Sequence, residues 1–288
     1  MSNRLPAWFK QEPGDIKTVS NVQKLLKELN LHTICENAQC PNARQCLSQR
    51  TATFLILGNT CTRHCTFCAV KKGAPAPADA SEPHHLLEAA QKLGLKYIVV
   101  TSVTRDDLPD GGASHFAEVI TCLRNNIEDA VVEVLVPDFL GSAESIKTVV
   151  NASPQVINHN VETVPRLYPS VRPEADYNRS VELLSLVKEL SPDIVTKSGL
   201  MVGLGETREE VIELMNDLRE AECDLLTIGQ YLQPSERHHP VIRYVTPEEF
   251  SEYEDIGRKM GFTDVASAPL VRSSYKAAEM YRKAILPA

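Results

Sequence analysis

The sequence has few aromatic residues and no long apolar segment. Phe, Trp and Tyr make up 6% of its 288 residues, and there is a single Trp. The longest apolar runs, such as residues 52–57, are far shorter than the ~20 residues that a membrane-spanning helix needs. No signal peptide is expected before residue 6. These features predict a cytoplasmic protein that does not enter a membrane.

Basic residues are also too few to favour binding to polyanions. The chain has 30 Lys and Arg against 38 Asp and Glu, which gives a net charge of −8. Because this charge opposes binding to phosphate backbones and anionic lipids, we expect neither nucleic acid nor a membrane as a partner. The hydrophobic share of 43% and the charged share of 24% are typical of a globular protein.

Cysteine, by contrast, is abundant and clustered. Six of the eight cysteines lie within residues 35–68, and the other two are Cys122 and Cys223. In a reducing compartment, such clustering favours metal binding over disulfide bonds. Cys122 and Cys223 are expected to be packed thiols.

The middle of the chain has the pattern of an α/β protein. From residue 51 onward, short apolar runs alternate with helical stretches, as in successive βα units around a parallel sheet. The sequence predicts a partial (β/α)6 barrel of the TIM type at residues 51–232, although a doubly wound open sheet would give a similar pattern. The alternation is absent from an N-terminal extension, residues 1–50, and stops again in a C-terminal extension, residues 233–288. The predicted strands are 51–57, 97–102, 130–136, 156–160, 194–202 and 225–230, and a helix is predicted at about 247–260.

One cysteine triad follows the first predicted strand. Cys61, Cys65 and Cys68 lie on a loop at the carboxyl end of that strand, which is the active face of barrel enzymes. Three thiolates on one loop can hold three irons of a 4Fe-4S cluster and leave the fourth iron open to a cofactor. A zinc knuckle completed by His64 is the alternative. The spacing C-x3-C-x-aromatic-C resembles the signature of the radical S-adenosylmethionine (SAM) superfamily.

A second triad lies in the N-terminal extension. Cys35, Cys40 and Cys46 supply only three sulfurs, so a fourth ligand must come from elsewhere in the chain. A zinc site that stabilises the extension is the alternative to a cluster. The residues considered for the fourth ligand of this triad are His32, Cys122 and Cys223.

Together the motifs resemble those of the lipoyl synthases over nearly the whole chain. The two triads are followed near the C-terminus by Arg272-Ser273-Ser274-Tyr275. Further matches are VTRDDLPDGG at 103–112, NHNVET at 158–163 and KSGLMVGLGE at 197–206.

The resemblance implies two 4Fe-4S clusters and SAM as cofactors. Cys61, Cys65 and Cys68 would hold the cluster that binds SAM. The N-terminal and C-terminal extensions would carry an auxiliary cluster, held by Cys35, Cys40, Cys46 and Ser274, with Ser273 as the alternative serine. The residues expected to contact SAM are Phe67, Thr101, Asp106, Asn160, Glu162 and Lys197. Some of these residues have an alternative interpretation. A pair of Lys197 with Glu162 could be purely structural, and Asp106 could cap a turn.

The resemblance also implies a reaction and its partners. Cleavage of SAM would give a 5'-deoxyadenosyl radical that takes hydrogen from C6 and C8 of an octanoyl chain, and the auxiliary cluster would supply both sulfur atoms. No general acid or base is expected. The octanoyl group would be attached to a lysine of a lipoyl carrier domain, in 2-oxoacid dehydrogenase complexes or the glycine cleavage H protein. A ferredoxin or flavodoxin would supply electrons, and an iron–sulfur carrier would repair the auxiliary cluster.

Two other functions are compatible with parts of the pattern. A sulfur-inserting radical enzyme of the biotin synthase kind would share the Cys61 to Cys68 motif, but the N-terminal triad and the Arg-Ser-Ser-Tyr tail argue against it. A zinc or iron–sulfur scaffold without catalytic activity is the more distant alternative.

Overall fold

An eight-stranded sheet is the centre of the computed structural model, which describes residues 5–11 and 14–286. Seven of its strands are parallel, and the short first strand is antiparallel to the second. In chain order the strands are β1 (His32–Thr33), β2 (Thr53–Ile56), β3 (Thr60–Cys61), β4 (Lys71–Lys72), β5 (Tyr97–Ser102), β6 (Val131–Leu135), β7 (Val156–Asn158), β8 (Val195–Val202), β9 (Leu225–Gln230) and β10 (Asp264–Ser267). Their order in the sheet is β1-β2-β5-β6-β7-β8-β9-β10, while β3 and β4 form a separate two-stranded ribbon.

Helices connect the parallel strands. The sequence sets their ends: at residue 207, for example, Thr207 and Glu210 form a capping box, and Val211, Leu214 and Leu218 bury one face of the helix that follows. The helices are α1 (Ile16–Glu28), α2 (Ile34–Asn37), α3 (Ala43–Ser48), α4 (Glu82–Leu93), α5 (Ala113–Asn126), α6 (Ala143–Asn151), α7 (Tyr168–Val171), α8 (Tyr177–Leu190), α9 (Arg208–Glu220), α10 (Pro247–Lys259) and α11 (Ala277–Ile285). Short 3-10 turns lie at Ala7–Phe9, Phe139–Gly141 and Pro165–Leu167.

The predicted α/β class and parallel sheet are confirmed. All six predicted strands are present, two with the predicted bounds and four shortened at one or both ends. The prediction that the alternation stops after residue 230 is wrong, because β10 adds a seventh parallel strand beside β9, with Asp264 opposite Leu225. Strand β10 has only four residues and begins with a buried aspartate, so it lacks the apolar run by which strands are recognised.

The chain after β10 crosses the open side of the sheet. The carbonyl oxygen of Val271 would lie 2.1 Å from a Cβ atom on Gly229, so only glycine allows this approach to β9. Asn42 Nδ2 donates to the carbonyl of Leu270 at 2.7 Å. This segment therefore contacts both the last strands of the sheet and the cysteine-containing N-terminal extension.

The two ends of the barrel differ. At the amino end, the first residues of β7, β8 and β9 pack against Met280 of α11 in an apolar cluster, Val156, Val195, Leu225 and Met280. The carboxyl end carries the cysteine loop that follows β2. Helix α11 thus covers one end, which leaves the carboxyl end for the cavity described next. None of the helices described is long and apolar enough to span a membrane.

Candidate active site

A cavity of about 490 Å³ lies inside the barrel, a volume within the range of small-molecule sites. Five of the six cysteines of the two triads lie on its wall, namely Cys35, Cys40, Cys61, Cys65 and Cys68. The fold thus brings together two motifs that the sequence places in separate segments.

The loop that carries Cys61, Cys65 and Cys68 is fixed by side chains of its own. Thr62 Oγ1 donates to the carbonyl of Thr104 at 3.0 Å, and its backbone N–H bonds to the same carbonyl. Lys72 Nζ donates to the carbonyl of Cys65 at 2.8 Å. These bonds attach the loop to the segment after β5 and to β4.

The side chain of Arg63 forms the strongest of the bonds that attach this loop to the rest of the barrel. Its Nε and one terminal nitrogen donate to Asp106 at 2.7 and 3.0 Å, and that nitrogen also donates to Asp138 at 2.6 Å. Burial alone would raise the pKa of Asp138, but the hydrogen bond and charge of Arg63 outweigh it and lower the pKa to about 2. Asp138 is therefore ionised at neutral pH, and Arg63 joins the cysteine loop to the ends of β5 and β6.

The thiols of Cys65 and Cys68 are protonated when no metal holds them. Burial is the main cause that raises the pKa of Cys65 and of Cys68, the latter to about 12, and the neighbouring thiols raise both further. Metal binding must displace these protons, as it does at thiolate sites generally.

His64 does not complete a zinc site with these thiols. Its Nδ1 lies 2.8 Å from Glu174 Oε1, and 61% of its side chain is exposed. In the part of the chain that the structure describes, no three His, Cys, Asp or Glu side chains are grouped closely enough to hold a single ion. Three thiols on the wall of one cavity match the donor set of a 4Fe-4S cluster with one open iron.

The second triad is assembled by two short helices and the turn between them. Cys35 lies in α2 and Cys46 in α3, with Cys40 between them. Burial is the main cause that raises the pKa of Cys35 to about 11, and the thiols of Cys40 and Cys46 raise it further, so the three groups lie near one another. As expected, Cys122 and Cys223 are packed elsewhere: their thiols donate to the carbonyls of Pro83 and Leu225.

The two serines of the tail have different partners. Ser273 Oγ accepts a hydrogen bond from Asn160 Nδ2 at 2.7 Å, and Ser274 Oγ accepts one from Thr53 Oγ1 at 2.8 Å. The backbone N–H of Thr53 lowers the pKa of the Cys35 thiol, so Thr53 lies beside Cys35. Both serines lie on the cavity wall, and Ser274 shares a neighbour with the second triad.

Four of the six residues predicted to contact SAM lie on the cavity wall, namely Phe67, Thr101, Asn160 and Glu162. Burial is the main cause that raises the pKa of Glu162, and the charge of Arg172 opposes it. Asn160 Nδ2 donates to Glu162 Oε1 at 3.0 Å, so the carboxyl group is held in place.

The other two, Asp106 and Lys197, are engaged in ion pairs. Asp106 binds Arg63, as described above. The sequence-based pairing of Lys197 with Glu162 is wrong, because Lys197 Nζ donates to Glu133 Oε1 at 2.9 Å. The reason is the register of the strands, because the side chains of Lys197 on β8 and Glu133 on β6 meet across β7.

Several buried polar groups on the wall were not singled out from the sequence. Four of their atoms have no partner among the described residues: Ser102 Oγ, Asn158 Oδ1, His159 Nε2 and Arg172 Nε. Oδ1 of Asn160, which the sequence did predict, has none either. Buried polar atoms are nearly always paired, so these positions fit a polar ligand such as SAM. The only signal in the sequence was the Asn-His-Asn run after β7.

Comparison with known proteins agrees with this geometry. The model of the radical SAM superfamily matches residues 55–218. The lipoyl synthase of Caldanaerobacter subterraneus subsp. tengcongensis is 60% identical over 277 residues, which cover 96% of this chain and 97% of the relative. This chain belongs to the lipoyl synthase family. The lipoyl synthase of Aquifex aeolicus is 57% identical over 258 residues, or 90% of this chain and 94% of that one.

Solved structures support the fold alone. Streptococcus suis SuiB bound to S-adenosylmethionine superposes with a TM-score of 0.60 at 13% identity, over 88% of this chain and 60% of that one. Membership of the lipoyl synthase family confirms the resemblance drawn from the motifs. Membership of the radical SAM superfamily implies a 4Fe-4S cluster and SAM as cofactors.

Proposed function

We propose that this protein inserts two sulfur atoms into an octanoyl group attached to a carrier protein, at C6 and C8, to form the lipoyl group. The observation that carries this proposal is that two separate cysteine triads open on one cavity. Family membership provides the reaction class. A single triad would suffice for radical chemistry alone, whereas sulfur insertion also needs a sulfur donor within reach of the substrate.

The first triad is proposed to bind the cluster that activates SAM. Cys61, Cys65 and Cys68 would ligate three irons, and the open iron would receive the amino and carboxylate groups of SAM. The proposed contacts of SAM are the four predicted residues on the cavity wall, Phe67, Thr101, Asn160 and Glu162. Asp106 and Lys197 would not contact SAM directly. The ion pair of Asp106 with Arg63 and that of Lys197 with Glu133 would hold the neighbouring parts of the site in place.

The second triad is proposed to bind an auxiliary 4Fe-4S cluster, with Ser274 as the fourth ligand. The hydrogen bond from Thr53 to Ser274, and the position of Thr53 beside Cys35, support the choice of Ser274 over Ser273. A serine oxygen is a harder ligand than a thiolate and suits an iron that has to be released. When bound, the first cluster and SAM supply the radical that removes hydrogen, and the auxiliary cluster supplies sulfide.

The chain itself positions the reactants and excludes water. Leu55, Leu135 and Val136 give the cavity an apolar patch suited to an alkyl chain, beside polar groups of the same and neighbouring strands. Holding reacting groups in contact can contribute much of the rate enhancement. Closure of the amino end by α11 leaves entry from the carboxyl end. No residue is assigned as a general acid or base.

The partners follow from the reaction. The octanoyl group is proposed to arrive on a lipoyl carrier domain of a 2-oxoacid dehydrogenase complex or on the glycine cleavage H protein. A ferredoxin or flavodoxin would deliver electrons, and an iron–sulfur carrier would rebuild the auxiliary cluster. We place the reaction in the cytoplasm.

An anaerobic assay tests the proposal. The reconstituted protein, SAM and a reductant are incubated with an octanoyl-lysine peptide or with dethiobiotin, and the products are identified by mass spectrometry. We expect a lipoyl peptide and no biotin. Formation of biotin, or 5'-deoxyadenosine without sulfur in the peptide, would contradict the proposed reaction.

A further inference from the structure

A buried ion pair lies at the inner end of the cavity. The side chains of Glu133 and Lys197 are both 0% exposed, and Lys197 Nζ lies 2.9 Å from Glu133 Oε1. Glu133 belongs to the cavity wall. In the reaction proposed above neither charge contacts a cofactor or the substrate, although burying two charges is costly unless they are well paired.

The pair is held from the closed end of the barrel. The hydroxyl of Tyr97 donates to Glu133 Oε2, and the ring of Tyr97 lies 5.9 Å from that of Tyr281 in α11. Burial, and then the charge of Glu133, raise the pKa of Tyr97, so its hydroxyl stays a donor. In strand register, Val156 and Leu225 of the apolar cluster around Met280 lie beside Glu133 and Lys197. Glu133 thus forms the cavity floor, and Lys197 holds it from behind.

The cavity wall has apolar side chains nearer the carboxyl end and charged ones at this floor. On β6, Leu135 lies two residues nearer the carboxyl end than Glu133, and both belong to the cavity wall. On β2, Leu55 lies at the level of Thr101 and Leu135 by strand register. A chain entering from the carboxyl end therefore passes apolar side chains before it meets a pair of charges.

Such a floor resists displacement. Moving either side chain aside would leave the other charge buried without its partner, which costs far more than rearranging apolar groups. An apolar floor of the same volume could repack around extra carbons. The floor therefore ends the space for an alkyl chain at a defined depth.

The proposed reaction needs such a depth. C8 is both a reacting carbon and the end of the octanoyl chain, so the position of the terminal methyl decides which carbons reach the sulfur donor. We propose that the Glu133–Lys197 pair stops the terminal methyl of the acyl chain and makes the enzyme selective for eight-carbon chains. This inference rests on the proposed function.

The first test uses the wild-type holoenzyme with octanoyl-lysine and decanoyl-lysine peptides. One extra methylene in a closed apolar pocket changes specificity by roughly 10- to 200-fold, so we expect turnover of the decanoyl peptide to be at least about tenfold lower. Equal turnover of both peptides, with sulfur at C6 and C8, would overturn the inference. If neither peptide gains sulfur, the proposed function fails instead.

The second test removes the charges and keeps the volume. In a Glu133→Leu/Lys197→Met variant we expect the octanoyl-to-decanoyl selectivity to fall at least about tenfold, measured both as turnover and as equilibrium binding of the peptides. A Glu88→Leu/Lys92→Met variant, which removes an exposed ion pair on α4, should keep wild-type selectivity. A folded floor variant with wild-type selectivity would refute the role of the pair; should that variant not fold, the wild-type comparison decides.

Discussion

Thr53 Oγ1 donates a hydrogen bond to Ser274 Oγ at 2.8 Å, although 221 positions separate the two residues. Because the N–H of Thr53 also lies beside Cys35, the tail serine and the N-terminal triad meet at the start of β2. Ser273 instead binds Asn160, on the strand end where contacts with SAM are proposed. The adjacent serines thus face different parts of one cavity.

This division predicts different effects for the two serines. Ser274→Ala should lower the iron content of the auxiliary site and abolish sulfur insertion, because a cluster ligand is lost. Ser273→Ala should keep sulfur insertion and raise the KM for SAM, since the partner of Asn160 is lost. Iron analysis and product assays check both. The reverse pattern would make Ser273 the ligand.

Substitutions in the two triads should stop different steps of the reaction. Cys61→Ala is expected to abolish SAM cleavage, whereas Cys40→Ala should leave cleavage intact and stop sulfur insertion. Measuring 5'-deoxyadenosine and thiolated peptide separates the two steps. Cys122→Ala is the matched control, since its thiol bonds to Pro83 and both activities should persist. Wild-type activity in either triad variant would contradict the assignment.

Arg63 should control how firmly the first cluster is held. Arg63→Gln removes the contacts with Asp106 and Asp138, so we expect iron release to a chelator to accelerate about tenfold or more, the size of effect known for groups that orient metal ligands. The assay is made with Cys35, Cys40 and Cys46 changed to alanine, which leaves one cluster.

Two further variants sharpen the test of Arg63. Arg63→Lys should restore part of the stability, and Arg166→Gln, which breaks an exposed ion pair with Glu210, should have no effect on iron release. The SAM-induced change in the EPR spectrum of the reduced cluster should weaken in Arg63→Gln. Iron release at the wild-type rate would show that Arg63 does not position the loop.

His159 should make the stability of the fold depend on pH. Burial, then the charge of Arg172, lowers the pKa of His159 from 6.5 to about 4. Between these values the unfolded chain binds more protons than the folded one, so stability is complete above pH 6.5 and falls as the pH drops toward 4. The shift corresponds to about 3 kcal/mol in the free energy of unfolding.

Denaturant titrations at several pH values check this expectation. His159→Asn keeps a donor for the carbonyl of Val136 but does not titrate, so most of the decline between pH 7 and 4.5 should disappear. His84→Asn, at an exposed position, should decline like the wild type. An unchanged decline in His159→Asn would show that another group is responsible.

Much of the fold, and the candidate metal ligands, could be predicted from the sequence. Continuous apolar runs identify six parallel strands, because strands buried on both faces need them. The cysteines are identifiable because thiols at short spacings have few other uses in a reducing compartment. The short strand β10 has no such apolar run, and the sequence did not predict it.

Contacts between distant segments could not be predicted. Lys197 and Glu133 are 64 positions apart, and their pairing depends on the register of three strands. In the same way, Arg63 reaches Asp138 across 75 positions. The sequence showed only that these residues are charged, and the partner of each charge is set by packing.

The most direct test of two clusters on one cavity is a Mössbauer measurement with iron and sulfide analysis under anaerobic conditions. Wild-type protein should contain about eight irons, and a variant with Cys61, Cys65 and Cys68 changed to alanine about four, because separate cysteine sets ligate separate clusters. Only about four irons in the wild type, with zinc bound at Cys35, Cys40 and Cys46, would remove the sulfur donor and contradict the proposed reaction.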